Sequence, residues 1–178
     1  RQLVPFVGSS VVIVSFVVSF FLAALSIAYY KGGKVQKDHI SILSRNLIIS
    51  SVIISIAFTF KFMNFFFNKI DYSDIHHLII LSLFLSLFLF PVIFLLGQTI
   101  PLLTNFLKQE KISEVTGFAL SLNTIGSVIG SIFTSLVFFH YLGIAKTLFI
   151  SVFTLLLASI YLSKNKRRKF IFSIIAVI

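Results

Sequence analysis

A chain of 178 residues that is 58% hydrophobic, with a mean hydropathy of +1.08 and only 11% charged residues, has too few polar side chains to cover a soluble domain. Lipid is the solvent that such a composition requires over most of its exterior. The formal net charge of +10 does not mark a nucleic-acid binder, because Lys and Arg fall in short runs between apolar blocks, and the absence of cysteine removes disulfides, thiolate metal sites and cysteine nucleophiles.

The first apolar run carries no charge from Leu3 to Tyr30. It is too long for a signal-peptide core and no small-residue cleavage site follows it. Pro5 and the turn at Gly8, Ser9 and Ser10 precede a span expected at about 11–30. A basic loop at 31–39 follows, with Gly32 and Gly33 as a helix stop. The second span is expected at about 40–63, with Arg45 and Lys61 near its ends, where long side chains reach the headgroups.

Residues 64–77 read as a polar external loop entered through Phe65, Phe66 and Phe67. The third block, 78–107, holds Pro91, Gly97 and Pro101. As a straight helix it would reach about 45 Å, against about 30 Å of bilayer core, so its span (78–105) is expected to tilt, kink at these residues or leave the membrane early. A charged loop at 108–114 leads to a fourth span at 115–141. A tight turn at Gly143 leads to a fifth at 146–162. After the basic cluster at 164–169, residues 170–178 begin a sixth apolar run too short to cross.

The expected fold is therefore all-α: one polytopic transmembrane helix bundle, with about five spans and the start of a sixth, truncated at both ends. A β-barrel is excluded, since its strands alternate apolar and polar residues while these runs stay apolar for twenty. The loops after spans one, three and five, together with Arg45, hold eleven Lys and Arg, and the opposite side holds four. The positive-inside rule places the loops at 31–39, 108–114 and 164–169 in the cytoplasm.

Within the fourth span, Gly126 and Gly130 form a GxxxG pair, with Ser127, Ser131 and Ser135 at helical spacing beside it. Small residues on one stripe allow close approach of helix backbones, so this stripe is expected to pack on another helix. Asn123 shares that face; it either lines a polar cavity or hydrogen-bonds a neighbouring helix. Gln98, between Gly97 and Pro101, either binds a polar ligand at a helix break or sits in a kinked packing helix. His76 and His77 are adjacent and point about 100° apart on a helix, so they do not chelate one metal. His39 and His140 stand at opposite span ends, and no HExxH, GxSxG or phosphate-loop pattern occurs. All five acids (Asp38, Asp71, Asp74, Glu110 and Glu114) fall in expected loops. No catalytic residue, metal ligand or cofactor site is read in this chain.

Two groups of residues carry a family resemblance. Val4 to Ser10, leading into Phe21 to Tyr30 and on to Lys31, Gly32, Gly33 and Lys34, resembles the early membrane segment of bacterial fused spermidine synthases. In that family a major-facilitator-like membrane domain precedes a polyamine aminopropyltransferase domain. Leu95 to Pro101, and Gly117 to Gly130 with its Asn-Thr-x-Gly-x-x-x-Gly string, resemble two further membrane blocks of the same family. The likeness covers about residues 3–160. It departs after Gly33, where the family's basic residue followed by an acid is displaced to Lys37 and Asp38.

The resemblance implies a major-facilitator-like half in the bacterial inner membrane, anchoring a synthase domain that lies beyond Ile178. Such a domain transfers an aminopropyl group from decarboxylated S-adenosylmethionine to a diamine, and that co-substrate enters only if the domain follows. The implied partners are the lipid bilayer, flanking helices and the synthase domain. The alternatives are a fragment of a major-facilitator-like small-molecule transporter and a non-catalytic helix-packing subunit.

Overall fold

The structure, a computed structural model, describes residues 11–71, 77–107 and 112–163. These residues are almost wholly helical, with no strand among them. That is what long apolar runs dictate, because a backbone in hydrocarbon must satisfy its polar groups within its own helix. The helices are α1 (Val11–Gly33), α2 (His39–Ala57), α3 (Phe60–Asp71), α4 (His77–Phe84), α5 (Phe90–Gly97), α6 (Thr99–Phe106), α7 (Ile112–Ile132) and α8 (Gly143–Leu162). π-Helical stretches occupy Leu85–Leu89 and Phe133–Leu142.

Four helical segments are long and apolar enough to cross a membrane: Val11–Gly33, His39–Ala57, Ile79–Phe106 and Ser113–Leu162. The last runs for 50 residues. At Gly143, however, the backbone takes φ 73° and ψ 173°, a conformation far from helical and almost confined to glycine. The chain therefore turns between Leu142 and the body of α8.

Two departures from the sequence reading concern the second span and the loop after it. The helix from His39 stops at Ala57 and not near Met63, with Phe58 at φ −98° and ψ 10°. A new helix, α3, then occupies much of the expected loop at 64–77. The apolar run hid this boundary. Met63 and Phe67 are buried because they join a cluster with Ile80 and Phe84, and that packing holds α3 in place.

The third apolar block is interrupted twice. Pro91 has no N–H and its ring crowds the carbonyl of Leu87, and the helix widens just before it. Phe90 N–H bonds to the carbonyl of Leu85, five residues back. The second break is at Gln98, between α5 and α6, with Gly97 ending one helix and Pro101 in the first turn of the next. The expected loop at 108–114 is helical from Ile112 onward. Residues 1–10, 72–76, 108–111 and 164–178 lie outside the described residues, and with them the expectations for Pro5, Asp74, His76, Glu110, the 164–169 cluster and the sixth run.

The bundle is ordered by its contacts: α1 packs on α5 and α6, these pack on α2, and α2 packs on α8. α2 is thus sandwiched, with buried residues on two faces. The core on one side of it is Leu43 and Leu47 with Leu102 of α6. α7 does not share in this packing, and its principal contacts are with α6 and the following π stretch.

Candidate functional site

The residues that distinguish this bundle from a plain apolar one lie on the two seams of α2. On one seam, Asn46 and Gln98 are both buried, and the Asn46 side-chain N–H donates to Oε1 of Gln98 at 2.8 Å. Gln98 is the single residue between α5 and α6. On the other seam, Ser44 of α2 faces Ser159 of α8, both fully buried. Ser159 Oγ donates to the Ser44 carbonyl at 2.8 Å, and Ser44 Oγ, 2.9 Å from Ser159 Oγ, is within reach to donate to it or to the Ser159 carbonyl at 3.2 Å. Asn46 stands two residues from Ser44, about 200° round the helix, which is why the two polar contacts serve opposite neighbours.

Ser50 lies one turn beyond Asn46 and is fully buried, and its Oγ has no partner. Ser51 and Thr147 satisfy their hydroxyls within their own helices, on the carbonyls of Ile48 and Gly143. Among the residues whose side chains are described, no charged one is buried, and no group of three His, Asp or Glu side chains gathers among the described residues. The chemistry available is neutral hydrogen bonding. These amides and hydroxyls tie helices together and offer no nucleophile paired with a base.

Close approach of backbones supplies the third seam, between α1 and the α5–α6 break. Ala24, Ala28 and Gly32 are the buried residues of α1, at intervals of one helical turn. A Cβ on Gly32 would stand 2.6 Å from Cγ of Pro101 and 3.3 Å from Cα of Gln98. One on Gly97 would stand 2.8 Å from Cβ of Ala28 and 2.9 Å from Cδ2 of Leu25. Each glycine therefore receives a bulkier residue of the facing helix, the small-xxx-small contact that drives helix association in lipid. Below it, Asn105 donates to the carbonyls of Gly33 and Val35, each at 3.1 Å, and so pins the α1–α2 loop.

The residues singled out from sequence divide sharply. Gln98, Gly97 and Pro101 meet at the α1 and α2 seams, and Pro91 follows the widened turn. Asn123, Gly126, Ser127, Gly130 and Ser131 are all exposed on α7. Nothing lies within 4 Å of a Cβ placed on Gly126 or Gly130, so no described helix packs on that stripe. Ser127 and Ser131 turn back to carbonyls of their own helix, those of Asn123 and Val128. Asn46, Ser44 and Ser159 were not singled out. The Ala24, Ala28, Gly32 stripe was legible by the same spacing rule that drew attention to Gly126 and Gly130. Compared with family models, curated proteins and solved structures, the chain matches none.

Proposed function

We propose that this chain is the multi-pass membrane domain of a larger protein and serves as a scaffold and anchor. The observation that carries the reading is the mutual pairing of interior polar groups, Asn46 with Gln98 and Ser44 with Ser159. Groups that guide a solute face a water-filled path, whereas these are occupied in joining helices. The proposed domain is a major-facilitator-like half of five spans, a count supported by the turn at Gly143 within the last long segment. On the eleven-to-four distribution of Lys and Arg, the loops at 31–39, 108–114 and 164–169 face the cytoplasm at a bacterial inner membrane.

The resemblance to fused spermidine synthases supplies the identity of the anchored unit, a polyamine aminopropyltransferase domain using decarboxylated S-adenosylmethionine and a diamine. No residue of this chain takes part in that reaction. The test is expression of the complete reading frame: aminopropyltransferase activity should sediment with membranes and survive an alkaline carbonate wash. Deleting residues 1–178 should release it to the soluble fraction. Washed membranes that hold the protein but no such activity would remove this reading.

A second reading, the major-facilitator-like transporter, is favoured by one residue. Asn123 is exposed on α7, and a carboxamide facing hydrocarbon is costly unless a second bundle or an aqueous cavity receives it. Uptake of radiolabelled putrescine or spermidine into proteoliposomes, abolished by Asn123→Leu, would support the transporter. Uptake equal to that of empty liposomes would support the anchor.

A further inference from the structure

We infer that α3 is an interfacial helix that binds the lipid headgroup layer through Phe60, Lys61 and Phe65. The inference rests on the membrane reading above and adds a lipid-binding surface to it. α2 has 19 residues and extends about 29 Å, close to the full bilayer core, so Ala57 comes to the boundary opposite the α1–α2 loop. α3 starts three residues later and has 12 residues, about 18 Å, too short to cross back.

Its packing keeps it at that boundary. The rings of Phe62, Phe66 and Phe67 reach across to Phe84 and Phe88, at centroid distances of 5.2 to 5.9 Å, and Phe58 meets Phe84 at 5.9 Å. Phe84 and Phe88 fall early in the spanning segment that begins at Ile79. Phe84 is five residues in, about 8 Å along the helix, and Phe88 nine, about 14 Å, so every one of these contacts lies in the half of the bilayer entered at Ile79.

The remaining face of α3 has the chemistry of that layer. Phe60 and Phe65 are 68% and 60% exposed, and Lys61 and Asn64 are exposed beside them. Lys61 and Phe65 stand at i and i+4, so a cation and an aromatic ring share one patch. In water two such rings would be left largely uncovered. At the headgroup and acyl boundary the rings enter lipid and the ammonium meets phosphate oxygens, as in amphipathic helices that lie in the membrane plane.

The chain has no tryptophan, so Phe65→Trp and Phe21→Trp each give a single indole, excited at wavelengths where the five tyrosines do not absorb. Phe21 is exposed near the middle of α1, so an indole at that position reports the bilayer interior. The full-length variants are reconstituted into phosphatidylcholine–phosphatidylglycerol vesicles containing lipids brominated either near the headgroup or deep in the acyl chain. The Phe65→Trp variant should be quenched at least twofold more by the shallow bromines, and the Phe21→Trp variant by the deep ones. Iodide quenching of the Phe65→Trp variant without bromolipid quenching would put α3 in water and overturn the inference. Protection of that variant from both quenchers would show a protein cover and overturn it equally. If the Phe21→Trp fluorescence escapes every brominated lipid, the membrane reading itself fails.

Discussion

The side-chain amide of Asn46 donates to the side-chain carbonyl of Gln98 at 2.8 Å, joining α2 to the α5–α6 break between two residues 52 apart in sequence. Both are buried, so each is the means by which the other avoids an unpaired carboxamide in an apolar surrounding. Replacing one alone should therefore cost about 1–3 kcal/mol, because the partner is left buried and unsatisfied. The double variant Asn46→Leu with Gln98→Leu should cost less than the two singles together, by about 0.6 and at most about 1.7 kcal/mol. Unfolding in mixed detergent micelles measures all four corners of this cycle. Strict additivity would mean that the bond does not contribute.

Glycines of identical type should differ in the response to one added methyl group. Gly32→Ala and Gly97→Ala drive a Cβ to within 2.6 and 2.8 Å of the facing helix, and each should cost about 1–3 kcal/mol through displacement of α1 from α5 and α6. Gly126→Ala and Gly130→Ala meet nothing within 4 Å and should leave the stability of this bundle unchanged or slightly raised. Thermal unfolding of the four purified variants makes the comparison. A larger loss at Gly126 or Gly130 would place a further helix against α7.

Much of this was legible in the sequence, and the gaps have physical causes. Uninterrupted apolar runs announced the helices, and Pro91, Gly97 and Pro101 announced an irregular third segment. The end of α2 was hidden because Phe58 and Thr59 interrupt the helix without a Gly or Pro, inside a run that stays apolar into α3. Pairing of Asn46 with Gln98, or of Ser44 with Ser159, depends on which helices become neighbours, and hydrophobic periodicity is silent on neighbours when every face is apolar. Spacing alone could not choose between two small-residue stripes. The one at Ala24, Ala28 and Gly32 is packed, and the one at Gly126 and Gly130 is exposed within this chain.

Ser50 offers a prediction of opposite sign. Its hydroxyl is buried without a partner, so its desolvation is uncompensated. Ser50→Ala should raise stability by about 1 kcal/mol, whereas Ser159→Ala should lower it by a similar amount, since it strips the bond to the Ser44 carbonyl. Both variants are read in the same micelle unfolding assay. Destabilisation by Ser50→Ala would show that its hydroxyl has a partner in the folded protein.

Repeated crossing of a bilayer, with the basic loops on the cytoplasmic side, is the proposal most directly open to measurement. Because the chain has no cysteine, single cysteines at Gln36, Asn64, Glu114 and Tyr141, all exposed, report sidedness without a background. The reagent is a membrane-impermeant maleimide, applied to intact spheroplasts and then after permeabilisation. Asn64→Cys and Tyr141→Cys should label in intact spheroplasts, and Gln36→Cys and Glu114→Cys only after permeabilisation. Labelling of Tyr141→Cys from the same side as Glu114→Cys, or equal labelling of all four in intact spheroplasts, would contradict it.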